Sequence, residues 1–196
     1  MKASTTATSL RERSKARRRE AIRRAGMRLF AEQGYDGTTI AEIADAAEVA
    51  RRTVMMYFPA KADIALSVTD EVAGRLVDVV RARSEKGFLD AIDEWLTGEA
   101  DTLDPELAAL MTAMHAANPA LCSLGSDRIA GAVRVCGAAL TAETGLPPDH
   151  PMRVVIDAAV GTAITRYFTT VLPVSRDPRL HASFMAVLRA VVTSAR

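Results

Sequence analysis

AIRRAGMRLFAEQGYDGTTIAEIADAAEVARRTVMMYFPAKAD, residues 21–63, is the stretch from which the fold is read. Ile22, Ala25, Gly26, Leu29 and Phe30 recur at i, i+3, i+4, i+7 and i+8, one apolar face of a helix expected over Lys15–Gln33. Gly34 supplies its C-terminal stop. Thr39 and Glu42 have the spacing of a capping box, which opens a second helix with Ile40, Ile43, Ala44 and Ala47 facing inward. After Glu48-Val49-Ala50 a third, short helix is expected to begin near Arg51. It turns Val54, Tyr57 and Phe58 inward and Arg51, Arg52 and Met56 toward solvent. Pro59 ends it, because proline has no N–H to continue the ladder. Two short helices joined by a tight turn beside a basic segment describe a helix-turn-helix.

That motif needs hydrogen-bond donors at the start of its second helix, where base edges come within reach. Arg51 and Arg52 stand there, and a guanidinium can donate two bonds to guanine O6 and N7. Met55 and Met56 are suited to thymine methyls, and Thr39, Thr53, Tyr57 and Lys61 are expected to meet phosphates. The charge is divided accordingly. Residues 1–60 carry 12 Lys/Arg against 7 Asp/Glu, whereas residues 61–196 carry 13 against 17. A basic head on a mildly acidic body implies a polyanion partner at one end. Residues 1–13 lack periodicity and read as a disordered basic arm. Arg11 through Arg19 serve either as a solubilising tail or, on DNA, in phosphate attraction or minor-groove insertion.

The rest of the chain reads as helix throughout. A long helix is expected over Lys61–Arg83, followed by five more. Phe88, Leu89, Ile92, Trp95 and Leu96 mark one, ended by Gly98. Asp104 and Pro105 open the next, with Leu107, Leu110, Met111 and Met114 on one face. Ile129, Val133, Cys136 and Leu140 stripe a third, stopped at Gly145. Met152–Leu172 is apolar almost all round, and a final helix opens at Asp177-Pro178. These last two carry more apolar surface than a monomer can bury, so a homodimer is expected through Val160, Ile164, Phe184, Val187, Leu188 and Val191. Trp95, Met111, Met114, His115, Cys136 and Phe168 are candidates to line a small-molecule pocket, since methionine suits adaptable apolar cavities; plain core packing is the rival fate of each.

Residues 21–63 also resemble the DNA-binding domain of the tetracycline-repressor (TetR) family. The resemblance is carried by Leu29-Phe30, Gly34-Tyr35, Thr38-Thr39, Ile43-Ala44, Val49, Thr53, Tyr57-Phe58 and Lys61. It covers under a quarter of the chain. It implies a nine-helix chain, a two-fold dimer, a palindromic double-stranded DNA operator and a small-molecule inducer bound in the C-terminal domain. Three positions depart from the family pattern. Glu48 stands where the turn usually has glycine, Ala50 replaces the common serine cap, and Met55 replaces the usual tyrosine of the recognition helix.

The expected architecture is therefore all-α. A disordered arm (1–13) precedes a three-helix helix-turn-helix DNA-binding domain (14–60) and a helical ligand-binding and dimerisation domain (61–196). The expected function is a DNA-binding regulator, a repressor released by an inducer. The alternative is a helical interaction protein of the same fold that has lost specific DNA binding. His115, His150 and His181 show no metal spacing, and no G-x-S-x-G elbow or phosphate loop occurs, so neither an enzyme nor a cofactor is expected. Cys122 and Cys136 have neither metal nor disulfide spacing and read as small buried hydrophobes. Leu107–Ser126 lacks charge, but His115, Asn118, Pro119, Ser123 and Ser126 argue against a membrane span. With no signal peptide in view, a cytoplasmic chain is expected.

Overall fold

The computed structural model describes residues 10–83, 86–102, 104–147 and 149–194. Among them there is no strand. The elements are α1 (Leu10–Gln33), α2 (Ile40–Ala46), α3 (Arg51–Tyr57), α4 (Lys61–Ala65), α5 (Ser67–Ala82), α6 (Phe88–Thr102), α7 (Pro105–Ala117), α8 (Ala120–Thr144), α9 (Pro151–Arg166), a π-helical turn (Tyr167–Val171) and α10 (Pro178–Thr193). No described helix is long and apolar enough to cross a membrane.

Two compact units divide the chain. The first runs to Val68 and takes in Ala109–Leu124; the second comprises Thr69–Ala108 and Gly125–Arg196. A single boundary after residue 60 was the expectation. Instead α4 packs with the helix-turn-helix, because Ile64, Ala65 and Leu66 are all buried. Gly26 makes that packing possible: a Cβ there would lie 2.6 Å from Ile64 Cγ2, so only glycine lets α4 approach α1 this closely. The core of the first unit is Ile22, Met27, Phe30, Ile43, Val54, Phe58, Ile64 and Met114. The periodic face read from α1 is therefore buried, with Met27 added to it and Leu29 only half-buried.

In the second unit one cluster joins Val80, Phe88, Leu89, Ile92, Trp95 and Leu96 to Ile156, Val160, Ile164, Met185, Leu188 and Val192. Its helix starts follow the sequence. Asp104 Oδ1 accepts from the Glu106 and Leu107 amides at 2.9 and 3.1 Å, and Asp177 Oδ1 from the Arg179 amide at 2.9 Å. Several boundaries differ from expectation. The Lys61–Arg83 helix is broken at Leu66. Gly98 does not end α6, which continues to Thr102. A mid-helix glycine costs only about 1 kcal/mol, and Glu99 beyond it is buried and held by Arg75. The long apolar helix after Pro151 changes pitch at its end, where the Leu172 amide reaches back five residues to the Tyr167 carbonyl at 2.9 Å.

The dimer expectation also needs correcting in its residues. Val160, Ile164 and Leu188 are 1%, 8% and 1% exposed, so they belong to this chain's own core. Phe184 and Val191 are half-buried against the same cluster. Of the six, only Val187 is exposed, at 61%. The apolar residues left uncovered are Met152, Val154 and Val155 on α9 and Leu180 and Val187 on α10. Both helices are apolar on several sides, so periodicity could not tell the inward face from the outward one.

Candidate nucleic-acid interface

The capping box at the start of α2 is complete. Thr39 Oγ1 accepts from the Glu42 amide at 3.2 Å, while Glu42 Oε2 accepts from the Thr39 amide at 2.7 Å and from the Thr39 hydroxyl at 2.8 Å. The bond from the Thr39 backbone holds the Glu42 carboxyl below its ordinary pKa, with the Thr39 hydroxyl adding to the effect. The cap is thus present above the usual glutamate range and is lost as pH falls through the lowered value.

The turn between α2 and α3 has the bonding of a Schellman motif. The Val49 amide donates to the Ala44 carbonyl at 2.9 Å and the Glu48 amide to the Asp45 carbonyl at 3.1 Å. Such a turn requires one residue in the left-handed region, and Glu48 occupies it with φ 53°. A Cβ in that region costs roughly 1 kcal/mol, and this is what the glycine-to-glutamate departure does to the backbone. Glu48→Gly is therefore expected to raise stability by about 1 kcal/mol and to tighten DNA by removing a carboxylate from the turn. Thermal unfolding and titration with operator DNA check it; a fall in either refutes this account of the turn.

The recognition helix α3 starts at Ala50 without a side-chain cap, as the sequence anticipates; the Thr53 amide still bonds the Ala50 carbonyl at 2.7 Å. Val54 and Phe58 are fully buried and fix its roll. Arg51, Arg52, Met55 and Met56 are then exposed together, with Met55 at 45% and Met56 at 69%. Neither arginine is held in an ion pair among the described residues. Thr53 and Tyr57 are half-buried at the flanks of this face, and Thr39 is exposed. Tyr57 is thus less inward than its spacing suggested.

Lys61 has another occupation. Its Nζ donates to the Tyr35 carbonyl at 2.6 Å and the Thr38 carbonyl at 3.0 Å, and it lies 4.4 Å from the Tyr35 ring centroid. Two of its three donors close the loop after α1, which gives the lysine a structural role beside the expected phosphate contact. These partners lie 23 and 26 residues back along the chain.

A residue that the sequence gave no reason to select also holds this loop. Asn118 Oδ1 accepts from the Tyr35 amide at 2.6 Å, and its Nδ2 donates to the Phe30 and Met114 carbonyls, each at 2.8 Å. Gly34, between the first two, has φ +84°. Asn118 thus caps the end of α1 from a distant part of the chain. Asn118→Ala is expected to cost about 1–3 kcal/mol by leaving part-buried groups unmet. Hydrogen exchange at the Tyr35 amide reads this locally; unchanged protection would refute it.

The basic arm is partly helix. α1 starts at Leu10, five residues earlier than expected, and residues 10–18 are exposed except for half-buried Ser14. A helix about 10–12 Å across does not enter a minor groove about 6 Å wide. Arg11, Arg13, Lys15, Arg17 and Arg18 are therefore suited to phosphates rather than to minor-groove insertion.

Residues 22–68 match the family model for bacterial regulatory proteins of the tetR family. The helix-turn-helix segment of this chain is thus similar to that of TetR-family regulators. A regulator named TcmR, of the helix-turn-helix type, from Streptomyces glaucescens is 41% identical over 58 residues, 30% of this chain and 26% of that protein's length. Over most of its length the fold of the chain is similar to solved structures. A transcriptional regulator of the TerR/AcrR family from Aquifex aeolicus aligns with TM-score 0.60 and 14% identity over 89% of this chain and 99% of the other. Bacillus subtilis FadR in complex with stearoyl-CoA aligns with TM-score 0.61 and 22% identity over 89% and 97%.

The candidate pocket residues are divided between the units. Met111, Met114 and His115 fall in the first, where Met114 is core and burial lowers the His115 pKa, favouring the neutral ring. Trp95, Cys136 and Phe168 fall in the second, where Trp95 and Phe168 are in ring contact. Burial pushes the Cys136 thiol up to about 11, so it is a poor nucleophile; the Cys122 side chain lies outside the described residues.

Proposed function

We propose that this chain is a homodimeric transcriptional repressor that binds an inverted-repeat DNA operator and is released by a small molecule. The observation that carries the reading is α3: Val54 and Phe58 lock it inward while Arg51, Arg52, Met55 and Met56 share one exposed face beside a basic helix. Arg51 and Arg52 read bases, Met55 and Met56 meet thymine methyls, and Thr39, Thr53 and Tyr57 approach the backbone. Dimerisation is supported by the uncovered apolar residues of α9 and α10, with Val154 at 75% and Val187 at 61% exposure. A ligand role for the second unit rests on analogy with the similar FadR structure, which holds stearoyl-CoA. The ligand acts by binding the DNA-free conformation more tightly, so operator weakens ligand by the same factor as ligand weakens operator.

The deciding experiment is selection of genomic fragments on the purified protein, followed by footprinting. Protection of an inverted repeat is expected, with half-site centres about 34–36 Å apart, or a turn and a half if the dimer is set wider. Retention of no fragment above competitor DNA would overturn the repressor reading and favour an interaction protein of the same fold.

A further inference from the structure

Trp95 is 5% exposed, in the middle of α6 and of the second unit's apolar cluster. Its indole Nε1 is buried and has no acceptor among the described residues. A buried donor left unmet is destabilising, and native chains rarely keep one without use. Phenylalanine would fill an apolar core without that cost. The buried carboxylate nearest along α6 is already engaged. Glu99, one turn along α6, is buried and takes both Arg75 Nε at 2.5 Å and Arg75 Nη2 at 2.8 Å.

The face of the indole has a partner even though its N–H does not. Phe168 stacks on it with ring centroids 5.3 Å apart and planes at 22°. Phe168 sits in the π-helical turn that ends α9, and π-turns recur at functional sites because the extra residue re-aims side chains. It is only half-buried, whereas Trp95 is sealed, so a molecule reaching the indole comes from the Phe168 side.

We propose that the effector of this chain is an uncharged, planar aromatic molecule with a carbonyl-type oxygen, which accepts the Trp95 Nε1–H bond at the indole edge and stacks on Phe168. This deepens the proposed function and rests on it for the word effector. Planarity follows from the Phe168 ring, which lies within 22° of the indole plane, and the acceptor from the unmet donor. Neutrality follows from the apolar cluster and from Glu99 and Arg75 neutralising each other.

The test uses 9-fluorenone and fluorene, flat molecules of the same skeleton that differ in the carbonyl, with the full-length protein. Trp95 is the single tryptophan, so a nitrogen-15 proton spectrum contains one indole N–H signal. Fluorenone is expected to bind about ten-fold tighter than fluorene and to shift that signal downfield. In Trp95→Phe the ten-fold preference disappears. Phe168→Leu, which keeps the donor, weakens both molecules together and leaves the preference intact. Equal affinity for the two molecules, failure of both to bind, or an indole signal that fluorenone does not shift overturns the proposal. Operator binding measured on the same protein without either molecule tells failure of the ligand class from failure of the repressor reading.

Discussion

Arg52→Ala lowers operator affinity by about 1–3 kcal/mol per half-site, or about 2–6 kcal/mol for a symmetric dimer on its inverted repeat. The size follows from the exposed, ion-pair-free guanidinium at the second residue of α3, whose roll is set by Val54 and Phe58. Preference relaxes at one base position in each half-site and nowhere else, because a bidentate contact reads one base pair. Loss of phosphate contacts behaves differently. Replacing Arg17 and Arg18 with alanine should weaken all sequences evenly and flatten the salt dependence. Titrations of operator variants at two salt concentrations separate the two behaviours. If neither Arg51→Ala nor Arg52→Ala alters affinity or base preference, Arg51–Tyr57 is not the reading helix.

Val187→Glu converts the dimer to monomer and lowers operator affinity about 10²–10⁴-fold, the loss expected when two linked half-site contacts become independent. Val187 is 61% exposed on α10, so a carboxylate there is solvated in the single chain and leaves its core intact. Between two apolar faces the same charge is buried without a partner. Leu188→Glu is the contrasting substitution. Leu188 is 1% exposed, and a charge there unfolds the second unit rather than dissociating folded chains. Light scattering with circular dichroism distinguishes these outcomes. A Val187→Glu protein that remains a dimer would move the interface off this face.

The Tyr167 hydroxyl lies 3.3 Å from His181 Nδ1, and His181 Nε2 lies 2.7 Å from Asp93 Oδ1. This network joins three stretches of chain, and the sequence gives none of its members this role. Its residues are ordinary in isolation, and only the packing of α6 against α10 and the π-turn brings them together. Asn118 is the same case: an asparagine after a helix end promises a turn, not a cap for a helix 88 residues earlier.

What could be read in the chain was what neighbours in sequence decide. The Thr39–Glu42 box, the Asp104 and Asp177 caps, the stop at Gly34 and the inward Val54 and Phe58 all depend on contacts within one or two helical turns, and all stand where the spacing placed them. Glu48 stood out only through the family resemblance, and its left-handed backbone, φ 53°, is seen in the folded turn. What the residue pattern left open was every choice between two apolar sides. On α9 and α10 either face has enough hydrophobic surface to be buried, and packing of the second unit gave Val160, Ile164 and Leu188 to the core while leaving Val154 and Val187 outside. The role of Lys61 was open too, because a long flexible cation reaches a phosphate or a carbonyl with equal ease. It was the loop folding back beside it that put two carbonyls and a tyrosine ring within its reach.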